Sequence, residues 1–227
     1  GDIHLQKIVS GKTKDVFLRE DGNLQLYFKD TVTGRGKEID PGANEVIGEI
    51  GGKGNASLQL SVYFFKLLQA AGLPTHFISA CLEERSMVVK KAHSFNLEVI
   101  CREKAYGSFI RRYGSYIQEG TPLPSLIEFT LKDDELGDPL ITEETIVALQ
   151  ILGREAISLI KNTTRKAIAL IKADLAAKGM ELIDIKLEFG ETRGQIIIID
   201  EISGDCMRVM KEGKILSPKK LCNLVLG

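Results

Sequence analysis

Apolar residues recur along this chain with two periods, and the switches between them mark its elements. Leu24-Gln25-Leu26-Tyr27-Phe28 alternates at period two behind the turn signal Asp21-Gly22-Asn23, which predicts a hairpin strand. The stretch from Ile8 to Phe17 reads as two strands around a Gly11-Lys12 turn. Leu58, Val62, Phe65 and Leu68 keep helical spacing, with Asn55 or Ser57 as cap, an end near Ala71, Gly72 at the stop and Pro74 beyond. Residues 34–54 carry seven glycines and Pro41, so this segment reads as a loop with functional potential. Met87-Val88-Val89 and Leu97-Glu98-Val99-Ile100-Cys101 read as strands. Residues 143–152 and 154–178 read as helices, the second stopped by Gly179. A hairpin follows, with strands over 182–189 and 195–202 and a turn over 191–194.

This order of elements predicts an α+β chain whose parts meet near residues 80–92. No Pro- or Ser-rich linker marks the junction, so the parts are expected to pack closely. The division is placed at 1–88 and 89–227. The 227 residues are 44% hydrophobic and 27% charged, which suits a globular chain. Thirty basic and 31 acidic residues leave a net charge of −1, so no global field favours nucleic acid or a membrane surface. Gly1-Asp2 opens no basic or apolar leader, and the four cysteines form no C-x-x-C pair. A cytoplasmic setting with reduced thiols is the expectation. With three histidines and no H-E-x-x-H, a histidine-built metal site is not expected.

Candidate chemistry concentrates in a few stretches. Asp184, Lys186 and Glu188 share one face of a strand, opposite Ile183, Ile185, Leu187 and Phe189. The next strand, Ile196-Ile197-Ile198-Ile199-Asp200-Glu201, is apolar on both faces, and an acid entering it needs a partner. A turn centred on Gly194 would set Glu188 opposite Asp200. Two opposed carboxylates repel, and a divalent cation such as Mg²⁺ reverses that sign. A one-residue slip would put them on opposite faces. Lys12 and Lys14, two apart beside a turn, could meet phosphates as point charges. The run from Arg102 to Gly114 places four basic residues around Gly107-Ser108 at a helix start, suited to a phosphate or carboxylate. Lys132-Asp133-Asp134 leads an acidic turn ending at Pro139. Gly51-Gly52-Lys53-Gly54 lacks the spacing and the hydroxyl residue of a P-loop.

In this order and spacing, these stretches resemble the SAICAR synthetase family over almost the whole chain. They are Gly11-Lys12-Thr13-Lys14, Ala71 to Phe77, Val88-Val89-Lys90-Lys91, Leu97 to Ser108, Lys132-Asp133-Asp134 with Gly137-Asp138-Pro139, Asp184 to Gly190, and Asp200 to Ser203 with Arg208. The resemblance implies two α+β parts, a kinase-like antiparallel N-terminal sheet and a larger C-terminal domain, with an ATP cleft between. It implies a ligase in which ATP phosphorylates the carboxylate of 5-aminoimidazole-4-carboxylate ribonucleotide and the amine of L-aspartate displaces phosphate. By the same resemblance Lys12 and Lys14 hold ATP phosphates, and Val88, Val89 and Lys90 lie along adenine. Glu188 and Asp200 hold Mg²⁺. Arg102, Ser108 and Arg208 hold the ribonucleotide, with Asp184 and Lys186 beside its imidazole carboxylate. Small molecules are the expected partners, in a homodimer. The chain departs from the family pattern at Ser203-Gly204-Asp205, where Ser-Pro-Asp is common, at Tyr106 and in the longer segment 34–54. A same-fold ligase or kinase with another acceptor, and an RNA-binding protein, are the alternative readings.

Overall fold

The computed structural model describes residues 4–40, 43 and 45–227. Gly1-Asp2, on which the leader reading rests, and Pro41-Gly42 of the glycine-rich segment lie outside them. Strands β1 (Leu5–Ser10), β2 (Lys14–Arg19) and β3 (Leu24–Phe28) form an antiparallel meander around the expected turns. The glycine-rich segment is not a simple loop. Strands β4 (Thr31–Arg35), β5 (Glu38–Ile39) and β6 (Glu45–Glu49) pair antiparallel as a separate three-stranded sheet. Glycine lowers strand propensity without forbidding pairing, so the composition hid these strands. Helix α1 (Lys53–Ala70) starts before either expected cap residue. The Asp30 carboxylate accepts from Gly54 N–H at 2.9 Å and so takes the capping role from another element. Strands β7 (Phe77–Cys81) and β8 (Ser86–Val89) complete a five-stranded sheet of order β1-β2-β3-β8-β7.

The rest of the chain builds a six-stranded sheet. It comprises β9 (His93–Lys104), α2 (Ser108–Tyr113), β10 (Pro122–Leu131), α3 (Glu143–Ala148), α4 (Arg154–Ala177), β11 (Glu181–Thr192), β12 (Gln195–Ile199), β13 (Met207–Lys211), β14 (Lys214–Ile215) and α5 (Pro218–Leu226). Strand β11 is the axis of this sheet. One edge pairs with β9; the other is shared by β13 along its first half and β12 along its second. Paired on both edges, it is a central strand whose residues 182–190 are buried or half-buried. Strand β10 holds Pro122 and Pro124, which it tolerates as the edge strand of the order β10-β9-β11-β13-β14.

Helix α4 covers the sheet with Ile157, Ile160, Thr164, Ala167, Ile168, Ile171 and Leu175, a stripe at helical spacing. Helix α1 lies against α5 and the β3 side. The two large sheets are joined at Thr75-His76. Thr75 bridges Ile198 in parallel, and His76 N–H donates to the Ile198 carbonyl at 2.9 Å. One apolar core runs through Leu58, Phe65, Met87, Val99, Ile198 and Ile168. The four cysteines are free, and only Cys81 is exposed. Among the described residues no helix is long and apolar enough to cross a membrane. Phe65 is fully buried and stacks on Phe77. Phe65→Ala is expected to lower the unfolding free energy by about 3–5 kcal/mol. Leu159→Ala, on the exposed face of α4, should change it by less than about 1 kcal/mol; urea denaturation of both variants checks the contrast.

Candidate active site

The register of three strands assembles the site. Asp184 lies directly across from Arg102 on β9 and from Arg208 on β13. Directly opposed residues of antiparallel strands share a face, so this carboxylate sits between two guanidinium groups. Arg208 Nη1 donates to both Asp184 oxygens at 3.1 and 3.0 Å, and Arg102 Nη1 stands 3.6 Å away. Burial pushes the Asp184 carboxyl up, and the two arginines oppose that rise. Arg102 is itself buried. Its Nε donates to Glu128 at 2.6 Å and its Nη2 to the Ser108 hydroxyl at 2.9 Å, which ties β9, β10 and α2 together. Gly107 has φ +59°, and a Cβ there would lie 2.6 Å from Arg208 Nη2, so this turn needs glycine twice over.

Two residues further along β11, Lys186 pairs with Glu98 at 2.8 Å, and Lys132 pairs with Glu188 at 2.8 Å. The register puts Glu98 opposite Glu188, so the opposed acids of this face are those two. The hairpin itself is shifted by one residue from the expected pairing. Thr192 pairs with Gln195 across an Arg193-Gly194 turn with φ of 50° and 76°, and Glu188 faces Ile199. Two positive φ values are what a tight two-residue hairpin turn requires, and arginine in the first position gave no sequence signal for it. The slip alone would send Asp200 to the far face. Asp200 instead leaves the strand with φ 66°, which breaks the alternation, and its charge is felt at Glu188. The neutral ring of His76 holds this bend, with Nε2–H donating to the Asp200 carbonyl at 2.8 Å. Burial pushes the His76 pKa down to about 4, which keeps the ring uncharged.

Lys14 lies 3.2 Å from Asp200 and pairs also with Glu201. Burial opposes its charge, but the two acids hold its ammonium above the usual lysine range. Burial would raise Asp200; Lys14, Lys132 and Lys186 instead hold it well below the usual carboxylate range. Glu188 goes the other way. Burial, reinforced by Asp200, pushes its carboxyl up to about 7 against Lys132 and Lys186. Two neighbouring carboxylates whose proton affinities are pushed apart are a pattern that clusters at functional sites.

These groups line one cavity of about 1060 Å³. It brings together Lys12, Lys14, Arg102, Ser108, Asp184, Lys186, Glu188, Asp200 and Arg208. Lys12 lies in the turn before β2, not on a strand, and reaches Asp134 at 2.6 Å. Val88, Val89 and Lys90 are not in the cavity wall. β8 is paired on both edges, and Lys90 N–H donates to the His76 carbonyl. Glu98, Lys132 and Glu201 are functional-looking residues that sequence reasoning left outside the site; only register could have found Glu98. Lys53, set aside as no P-loop lysine, is buried and paired with Asp205, which fixes the unusual Ser203-Gly204-Asp205 turn. Gly204 packs against Pro218, where a Cβ would lie 2.6 Å from Pro218 Cα.

Comparison with known proteins agrees with this geometry. The SAICAR synthetase family model matches residues 7–220. The phosphoribosylaminoimidazole-succinocarboxamide synthase of Clostridium tetani is 48% identical over 96% of this chain and 98% of its own length. The crystal structure of the enzyme of that name from Ehrlichia chaffeensis superposes with a TM-score of 0.85 at 32% identity, covering 98% of this chain and 92% of that one. A type-2 SAICAR synthetase in complex with ADP superposes at 0.83 with 33% identity, covering 95% and 88%. With a family match across nearly its whole length, and relatives similar in both sequence and fold, this chain belongs to the SAICAR synthetase family.

Proposed function

We propose that the protein is an ATP-dependent ligase of purine biosynthesis. It joins 5-aminoimidazole-4-carboxylate ribonucleotide to L-aspartate through an acyl phosphate, giving the succinocarboxamide ribonucleotide, ADP and phosphate. The observation that carries the reading is the single sheet face running from Arg102, Asp184 and Arg208 to Lys186, Glu188 and Asp200. One end is built for a substrate anion and the other for phosphates. A carboxylate acylates amines poorly, and phosphorylation gives it a leaving group. Bringing two anions together requires their charge to be offset and their atoms aligned.

The residues divide that task. Lys12 and Lys14, from the five-stranded sheet, hold phosphate oxygens. Lys186, at the centre of the face, offsets charge on the imidazole carboxylate. Arg102, Ser108 and Arg208 hold the ribonucleotide. Asp184 is saturated by its two arginines and so orients them. Val9 and Val16 supply apolar cavity wall for the nucleotide base. The parts 1–88 and 89–227 would meet across this cleft. The cytoplasmic setting and the homodimer belong to the same proposal, and three buried free thiols suit a reducing compartment.

The residues at the phosphate end also fit Mg²⁺. Glu188 Oε1 is buried, and the group that faces it is the Lys132 ammonium at 2.8 Å, so this oxygen has room for a cation ligand bond. Asp200 is the second carboxylate. Among the described residues no three acid, cysteine or histidine side chains cluster as a metal cage, and Mg²⁺ takes only one or two carboxylates beside phosphate oxygens. Glu188 and Asp200 would hold such an ion, and the chemistry it would supply is an offset to the phosphate charge.

The functional test is ADP release by the pure protein with Mg²⁺-ATP and the ribonucleotide, with and without L-aspartate, and with the product weighed by mass spectrometry. Aspartate-dependent release with succinocarboxamide product is expected. ADP release without an amide, or with another amine preferred, would overturn the acceptor. Glu188→Gln and Asp200→Asn are each expected to lower Mg²⁺-dependent kcat by at least about a hundredfold while circular dichroism stays unchanged. Near-normal turnover in both would remove the metal assignment.

A further inference from the structure

The arginine end of the cavity holds more positive charge than the sheet answers. Arg35, Arg102, Arg111, Arg112 and Arg208 gather there. Glu128 answers Arg102 and Arg112 at 2.6 and 2.8 Å, and Asp184 answers one side of Arg208. What remains is Arg35, Arg111 and the other nitrogen of Arg208. All three turn to one carboxylate, Asp40, which directly follows β5 of the small three-stranded sheet. Arg208 Nη2 donates to its Oδ1 at 3.1 Å, Arg35 Nε to its Oδ2 at 3.3 Å, and Arg111 Nη1 lies 4.0 Å from Oδ2. The backbone of Asp40 is fixed independently. Its N–H donates to the Thr33 carbonyl at 3.1 Å, and its carbonyl accepts from the Thr33 hydroxyl and from Ala43 N–H, each at 3.0 Å.

We propose that Asp40 is an internal stand-in for a substrate anion. Arg35, Arg111 and the outer nitrogen of Arg208 form an anion subsite, and Asp40 occupies it until substrate displaces it. The proposal rests on the ligase reading for the identity of that anion. A carboxylate held by a fork of guanidinium groups is replaceable by any anion with oxygens in the same geometry. The side chain of Asp40 is a methylene carboxylate, the group that an L-aspartate side chain would present. A ribonucleotide phosphate offers the same oxygens with more charge. Burial and the nearby Arg35 push the Arg111 pKa down, as expected where guanidinium groups crowd a shared anion. An arginine cluster partly satisfied from within binds external anions less tightly, in proportion to the fraction of time it stands open.

The test is calorimetric titration of inorganic phosphate, and separately of succinate, into the wild type, Asp40→Asn and Arg35→Gln. Asparagine keeps the shape and backbone bonds of Asp40 and removes its charge. Asp40→Asn is expected to bind one probe about threefold or more tightly than wild type, and Arg35→Gln to bind the same probe more weakly. A gain for succinate assigns the subsite to the amino-acid substrate, and a gain for phosphate assigns it to the ribonucleotide. Equal binding of both probes by wild type and Asp40→Asn, or weaker binding by Asp40→Asn, overturns the proposal. Arg35 is exposed, so its variant keeps the test open if Asp40→Asn fails to fold: undiminished binding of both probes by Arg35→Gln overturns the proposal as well. Neither titration uses turnover. Loss of the ligase reading would show as missing aspartate-dependent ADP release, whatever the anion affinities.

Discussion

Asp184 lies in register between Arg102 and Arg208, and the working face of the protein is organised around that alignment. A buried carboxylate is costly by itself, and so is a buried guanidinium; together they are tolerated because each satisfies the other. Breaking such a buried arrangement by removing one partner typically costs about 3–5 kcal/mol. A slip in the register of any of the three strands would leave one of these charges without its partner. That register also sets Lys186 and Glu188 in line along the same face. The constraint that keeps the charges buried is the one that aims them at a ligand.

At the other end the constraint is different. Strand alternation cannot deliver both Glu188 and Asp200 to one face with a two-residue hairpin, and the chain resolves this by leaving the strand. Asp200 takes a left-handed bend that a neutral, buried His76 holds in place. Non-glycine residues in that region are uncommon and concentrate where function needs them. His76 also joins the two large sheets, so the bend that presents Asp200 is fixed from the same junction that closes the cleft. The acid that belongs to one sheet thus meets Lys14 from the other.

Much of the fold was legible because periodicity survives in the local sequence. The strand from Leu24 to Phe28 and the helix over 154–178 read correctly from the local sequence. The failures have specific causes. The strands of 31–49 were masked by glycine, and β10 by two prolines that only an edge strand permits. The hairpin slipped by one residue because Arg193 carries no turn signal for its positive φ. Most candidate site residues were visible as charged positions inside apolar runs, as at Asp184, Glu188 and Asp200. Glu98 stands in such a run too, and Lys132 heads an acidic turn, but their site roles come from neighbours more than 50 residues away in sequence. Asp40 was hidden because two of its three arginine partners, Arg111 and Arg208, lie far away in sequence on other elements.

The central claim is that Asp184 serves by holding Arg102 and Arg208 in the shape of an anion site. Calorimetric titration of 5-aminoimidazole-4-carboxylate ribonucleotide into Asp184→Asn, beside a titration of Mg²⁺-ATP, tests it most directly. The account predicts ribonucleotide affinity down by about tenfold or more, with Mg²⁺-ATP binding retained as proof of a folded cleft. Unchanged ribonucleotide affinity in a variant that still binds Mg²⁺-ATP would contradict it.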